Sequence, residues 1–212
     1  MEKVFELKNL KFKDILDIPS LTFCKGITSI VGKSGSGKTT LMLALNKMIT
    51  PTSGDVYYHG ENIKAMDAVK LRRKVVMLGQ QPIIFPGNVR DNLNQGLKFA
   101  KKELADDKKL RELLDYVELD KNLDDDPSDF SGGEKQRIAI ARVIAMEPDV
   151  YLLDEPSSAL DSELANNTIE KISRIAKEKD QTIIMVTHSD EISKNISDNI
   201  VMIDEGRVMK DE

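Results

Sequence analysis

Apolar and polar positions along the chain follow two rhythms, one short and one helical. Val4–Leu10, Ile15–Phe23 and Ile27–Val31 are runs rich in β-branched, leucine and phenylalanine residues, punctuated by Pro19 and Gly26, and each predicts a strand. The third runs into Gly32–Thr40. Beyond it Leu41, Leu45 and Met48 recur at helical spacing, which predicts a helix ending near Thr50-Pro51. Val75–Gly79 predicts another buried strand. From about Gly87 to Asp129 the strand signals vanish and charged helix formers dominate, as in Lys101-Lys102-Glu103-Leu104 and Leu110-Arg111-Glu112-Leu113-Leu114. This stretch predicts an inserted helical subdomain, and its acidic end, Asp124–Asp129, reads as a solvated loop. Strand and helix then alternate through Val150–Leu153, Ser162–Lys177, Thr182–Thr187 and Ile200–Ile203. That alternation indicates an α/β fold with a mostly parallel sheet. The tail, Val201–Met209 centred on Asp204-Glu205-Gly206, predicts a terminal hairpin.

Composition narrows the function classes. The 212 residues suggest one domain, long enough to bury a core without disulfide or metal staples. A 40% hydrophobic and 32% charged content argues against long disorder. The 31 basic and 36 acidic residues leave a net charge of -5, a poor match to a nucleic-acid binder, so no nucleic-acid partner is expected. The longest apolar runs, such as Ile183–Val186, are far shorter than the roughly 20 residues of a spanning helix. The amino end has no apolar h-region, so no signal peptide is expected. The single Cys24 excludes an internal disulfide and a cysteine-based metal cluster. It reads as a small core residue in a protein of the reducing cytoplasm.

Gly32-Lys33-Ser34-Gly35-Ser36-Gly37-Lys38-Thr39 matches G-x-x-x-x-G-K-[ST] at every fixed position, with a predicted strand before it and a predicted helix after it. Glycines let the backbone curl so that several N–H groups converge on a phosphate, and the helix beginning near Lys38 points its positive end at the same anion. Lys38 would bridge the β- and γ-phosphates, and Thr39, followed by Thr40, would offer a hydroxyl to Mg²⁺. A nucleotide site is thereby expected, over residues 32–40.

Val150-Tyr151-Leu152-Leu153-Asp154-Glu155 is an apolar strand ending in two carboxylates. Such a strand is expected to lie beside the phosphate-loop strand in a parallel sheet, with both ends at one edge. Asp154 would then reach the Mg²⁺ shell through water, and Glu155 could deprotonate the attacking water.

Phe130-Ser131-Gly132-Gly133-Glu134-Lys135-Gln136-Arg137 precedes an apolar helix, with Ser131 as a natural N-cap and two glycines forming a second anion-binding nest. The octet resembles the signature motif of the ATP-binding cassette (ABC) family. Other landmarks follow the family's order: a Q-loop-like stretch from Gln80 to Gly87, a D-loop-like Ser158-Ala159-Leu160-Asp161, and His188 at the place of the switch histidine. The resemblance covers nearly the whole chain. It implies a single ABC ATPase domain over 1–212: a P-loop NTPase with a mostly parallel central sheet, an N-terminal antiparallel β subdomain and a helical insertion at about 87–129. It implies ATP and Mg²⁺ as cofactors and a head-to-tail homodimer, each ATP lying on one subunit's phosphate loop and under Ser131, Gly132, Gly133 and Glu134 of the other. Gln80 would contribute to Mg²⁺, His188 would contact the γ-phosphate, and Asp161 would link the two sites. The family's adenine-stacking tyrosine is missing from the shortened Leu10–Ile15 loop, and Phe12 is the candidate in its place.

The resemblance further implies a separately encoded membrane permease as partner, with the chain peripheral on the inner face of the cell membrane. Gln80–Leu93 is similar to the exporter version of this region, as in small metal-exporter (iron-export) cassettes, and partly to the phosphate-importer version. The rival reading is a cassette ATPase that moves no solute, of the iron–sulfur assembly or cell-division kind. A P-loop small-molecule kinase would leave the signature octet unexplained.

Overall fold

The structure, a computed structural model, describes residues 1–209, apart from the side chains of Ser162 and Asp190. Residues 210–212 of the expected single domain lie outside the described residues. The chain opens with β1 (Lys3–Phe12), β2 (Leu16–Cys24) and β3 (Ile27–Val31), close to the runs that the apolar pattern marks. β1 and β2 form an antiparallel hairpin. β4 (Ser53–Tyr58) and β5 (Glu61–Asn62) extend it to a four-stranded sheet of order β2-β1-β4-β5. The apolar pattern assigned no element to this stretch, nor to α2 (Ala68–Lys74), which Asp67 caps through Lys70 N. A signal was present: His59 and Gly60 between the two strands both take positive φ, 46° and 80°, as a tight hairpin turn requires.

The helix after the phosphate loop, α1, is Lys38–Leu45 and not the longer helix that Met48 suggested. Its end is captured by other elements. Lys47 adopts a left-handed φ of 57°, and Arg72 of α2 donates to the carbonyls of Asn46 and Lys47. Met48 is left 57% exposed, so its helical spacing did not mark a buried face.

The second sheet combines β3 with β6 (Val75–Leu78), β7 (Val150–Asp154), β8 (Thr182–Val186), β9 (Asn199–Asp204) and β10 (Arg207–Met209). Its order is β10-β9-β3-β8-β7-β6, parallel except for β10. This corrects one expectation: β7 does not pair with β3, because β8 lies between them. Apolar alternation identifies a parallel strand but not its neighbour, since each crossover can carry the chain past a strand position. The functional consequence is unchanged, because Val186 of β8 stands opposite Ile30 on one side and Asp154 on the other. The carboxyl ends of all three strands therefore meet at one edge.

These strands are buried on both faces, as a parallel sheet between helical or sheet layers must be. Val150, Leu152, Ile184 and Val186 face one core with the antiparallel sheet and α1. Tyr151, Leu153, Ile183 and Met185 face the other. That second core is closed by α3 (Val89–Ala100), α4 (Asp107–Tyr116), α5 (Gly132–Met146), α6 (Ser162–Glu178) and α7 (Asp190–Ile196). α3, α4 and a 3₁₀ turn at Pro127–Asp129 occupy the segment between β6 and the signature octet. Asp124–Asp129 is more than a solvated loop. The Asp125 carbonyl accepts from Val89 N, Asp126 caps the 3₁₀ turn on Ser128 N, and Pro127 is buried. Cys24, expected in the core, is half-buried at the end of β2. The terminal hairpin forms as expected, with Glu205 and Gly206 both at positive φ in its turn. Among the described residues no helix is long and apolar enough to cross a membrane.

Candidate functional site

The phosphate loop leaves β3 and folds back under its own lysine. Lys38 is only 5% exposed, and its ammonium donates to the carbonyls of Gly32 (2.8 Å) and Lys33 (2.7 Å). Two glycines make this curl possible. A Cβ at Gly32 (φ 145°) would lie 2.0 Å from the Ile203 carbonyl oxygen, and one at Gly37 (φ 100°) would lie 2.8 Å from Leu16 Cδ2. Gly35, at the loop's crest, faces open space. Lys33, Ser34 and Gly35 are exposed, Ser36 and Gly37 are buried, and Thr39 is exposed beside half-buried Thr40 at the start of α1. Gly37 occupies the N-cap with no side-chain cap, so the first-turn N–H groups of α1 remain available to an anion.

Beside the loop, β7 delivers Asp154 and Glu155. Asp154 is 3% exposed. Burial pushes its carboxyl up, and a hydrogen bond from the Thr39 side chain counters that, with Glu155 adding a further upward push and Lys38 and His188 a downward one. Its Oδ1 is buried without a partner, as is the Ser36 hydroxyl. Glu155 takes a positive φ of 48° and anchors through its N–H to the Val186 carbonyl (3.1 Å). This turn aims its carboxylate across the sheet edge. There Gln80 Nε2 reaches Oε2 at 2.8 Å from beyond β6, and His188 Nε2 meets Oε1 at 2.9 Å from beyond β8. Three strand ends thus bring Gln80, Glu155 and His188 together.

These groups suit a phosphate ester with a hard divalent cation. The buried ammonium and helix start suit the anion, and the unpaired Asp154 oxygen with the Thr39 hydroxyl suits the cation. No cluster of three or more His, Cys, Asp or Glu able to hold a metal exists among the described residues. A cation here would therefore draw most of its ligands from phosphate and water, as Mg²⁺ does.

The signature turn is built separately. Ser131 Oγ accepts from Glu134 N (3.3 Å) while Glu134 Oε2 accepts from Ser131 N (2.8 Å), a reciprocal capping box at the start of α5. Glu134 also pairs with Lys121 at 2.9 Å. That lysine, followed by the Ser131 amide, holds its carboxyl down at about 2. Gly132 has open space on its Cβ side, whereas Gly133 packs on the Ala159 carbonyl. No hydrogen bond or ion pair joins residues 131–134 to residues 32–40 among the described residues. Asp161, read as a cross-interface link, has its carboxylate engaged as the N-cap of α6 on Leu164 N (3.0 Å). Phe12 is half-buried against the antiparallel core with Lys13 Nζ 5.4 Å from its ring centre. It begins the β1–β2 turn whose Ile15 and Leu16 pack against Gly37.

Sequence reading missed several residues that hold these parts. Fully buried Gln136 of α5 donates to the Pro156 carbonyl (3.0 Å), tying the signature helix to the turn after Glu155. Fully buried Asn92 of α3 pairs with the backbone of Phe85 through Oδ1 (2.8 Å) and Nδ2 (3.0 Å). A polar residue inside an amphipathic pattern was the only local sign of Asn92. Its partner lies in a loop with no periodicity to place it.

The family described as "ABC transporter" matches residues 16–158. Protein STAR1 of Oryza sativa subsp. japonica is 40% identical over 197 residues, covering 92% of this chain and 55% of that protein. The phosphate import ATP-binding protein PstB of Malacoplasma penetrans is 38% identical over 229 residues, covering 98% of this chain and 78% of that protein. The chain thus spans about half the length of the first relative and over three quarters of the second. Among solved structures, the dimeric post-hydrolysis state of the ATP-binding cassette MJ0796, bound to ADP and Pi, superposes with a TM-score of 0.84 at 25% identity. It covers 98% of this chain and 97% of that one.

Proposed function

The chain belongs to the ABC transporter family and carries its P-loop ATPase domain, and from that premise we propose that it hydrolyses ATP to drive a separately encoded membrane permease. The observation that carries the catalytic reading is the bracketing of Glu155 by Gln80 and His188 beside Thr39 and the buried Asp154.

In this reading Lys38 and the loop amides hold the β- and γ-phosphates of ATP, and Phe12 stacks on the base. Mg²⁺, held near Thr39, Asp154 and Gln80, would neutralise charge building on the phosphate oxygens. Gln80 and His188, with its Nε2 protonated, each donate to one Glu155 oxygen. Each oxygen keeps a lone pair to receive a proton from water. The water oxygen bonds to the γ-phosphorus as the bond to the ADP oxygen breaks, and Glu155 takes the water's proton. Lys38 neutralises the departing charge, and His188 steadies the carboxylate and the γ-phosphate. A positioned base of this kind supplies about 10² to 10⁴ in rate.

In this reading the chain forms a homodimer in which Ser131, Gly132, Gly133 and Glu134 close over the partner's nucleotide. Asp161 lies near that interface. The solved relative that is a dimer with ADP and Pi supports the same reading. A groove of about 560 Å³ lined by Met48, Val69, Met77, Ile83, Phe85 and Phe99 supports docking of an amphipathic helix from the permease. That partner would hold the chain at the membrane's inner face. Gln80–Leu93 is similar to exporters while one relative is named for phosphate import, so the proposal is for the motor that either direction uses.

The test is Glu155→Gln. It keeps the shape and the His188 side of the bracket but removes the base. ATP binding should persist, hydrolysis should fall by at least about 10²-fold, and a dimer should accumulate with ATP by light scattering. Hydrolysis near the wild-type rate would remove Glu155 from this role.

A further inference from the structure

Arg142 lies within α5 and is 8% exposed. Burial alone depresses its guanidinium, to about 10, and no carboxylate is paired with it among the described residues. A buried charge is costly unless its donors are satisfied, so its neutral partners matter. Nη2 donates to the Ile83 carbonyl at 2.6 Å, Nη1 points to Asn92 Oδ1 at 3.5 Å, and the guanidinium lies 4.8 Å from the Phe85 ring centre. The side chain passes α3 at Gly96, where an added Cβ would sit 2.7 Å from Arg142 Cγ. Asn92 meanwhile holds both the N–H and the carbonyl of Phe85, and the Asn88 carbonyl as well (3.0 Å). Residues 82–85 have no regular secondary structure, yet their backbone is gripped by two buried side chains from two helices.

That grip begins three residues beyond Gln80, whose amide rests on Glu155. We propose that Arg142 and Asn92 are positioning residues: they clamp the backbone at Ile83 and Phe85 so that Gln80 stays against Glu155. Because Arg142 belongs to α5, the clamp also ties this loop to the helix that begins with the signature turn. The catalytic part of the proposal rests on the reading of Glu155 as the base, while the clamp itself does not.

The experiment uses the full chain and four variants. Arg142→Met removes the donors at similar volume. Arg142→Lys keeps the charge but loses the fork that spans the Ile83 carbonyl and Asn92 Oδ1. Phe85→Leu removes the ring from the half-buried side and spares the interior, so it tests the clamp without a change in the buried core. Gln80→Ala serves as the second arm of a double-mutant cycle. In the wild type the Phe85 amide should exchange slowly, and each Arg142 variant should speed its exchange by at least about tenfold. The kcat for ATP should fall by about 10- to 100-fold, as for a misplaced catalytic group, while the dissociation constant for ATP stays within about twofold. In the Gln80→Ala background the Arg142 variants should cost less than about twofold more, because residues acting through one another are not additive.

Unchanged Phe85 exchange would overturn the clamp. Full additivity with Gln80→Ala, or parallel loss of ATP affinity and kcat with thermal stability, would reduce Arg142 to a structural residue and overturn the positioning role. A wild-type chain that hydrolyses no ATP would overturn the catalytic reading instead, and Phe85 exchange would still decide the clamp.

Discussion

The phosphate loop contains two glycines that should respond very differently to alanine. Gly35 has φ 77° and nothing within 4 Å of an added Cβ, so Gly35→Ala carries only the strain of a left-handed residue, about 1–2 kcal/mol. Gly32 has φ 145°, and its Cβ would lie 2.0 Å from the Ile203 carbonyl oxygen and 3.2 Å from Ser36 Oγ. The backbone conformation there costs about 1–3 kcal/mol for a residue with a side chain. Relieving the contact requires β3 and β9 to part by about 1 Å, an overpacking cost of about 1–3 kcal/mol more. Gly32→Ala should therefore destabilise by about 2–6 kcal/mol. For a domain of this size each kcal/mol lowers Tm by about 2–4 °C. Urea unfolding of both variants, with the m-value checked for two-state behaviour, measures the difference directly. If Gly32→Ala cost less than about 2 kcal/mol, the sum of the two smallest penalties, the close approach of Gly32 to β9 would be refuted.

Lys38→Ala should abolish tight ATP binding in calorimetry while leaving the fold intact by circular dichroism, since the ammonium donates to the loop's own Gly32 and Lys33 carbonyls; undiminished affinity would remove the loop from the nucleotide site. The capping-box carboxylate gives a pH signature. Glu134 is held down at about 2 against an ordinary 4.5, so its stabilising contribution is complete above about pH 4.5 and is lost as pH falls toward 2. Glu134→Gln should flatten the stability profile in that window, and an unaltered acid limb in urea titrations would contradict it.

Much of the fold could be read locally. Strands β7 and β8 are near-continuous apolar runs because they are buried on both faces, so their burial shows in the residues themselves. The phosphate loop, Ser131 as an N-cap and the terminal hairpin are equally local, since each depends on a few adjacent residues and their backbone angles. Elements held by distant partners were harder to read. β4, β5 and α2 are short and half-exposed, and α1 stops early because Arg72 and a left-handed Lys47 take over its carbonyl end.

The site divides along the same line. The sequence by itself determined which residues are the candidates for the chemistry, because a P-loop, a carboxylate pair at a strand end and a glycine-rich helix start are contiguous motifs. Their assembly was decided only by tertiary structure. Strand β8 intervenes between β3 and β7, and the shared register at Val186 still aligns the three strand ends. That alignment sets Gln80 and His188 on the two oxygens of Glu155, although they are 75 and 33 residues away in the chain. Asn92 and Arg142 show the limit most clearly. A polar side chain reveals its purpose only when its buried partner is known, and that partner is chosen by packing across the core, not by neighbours in the chain.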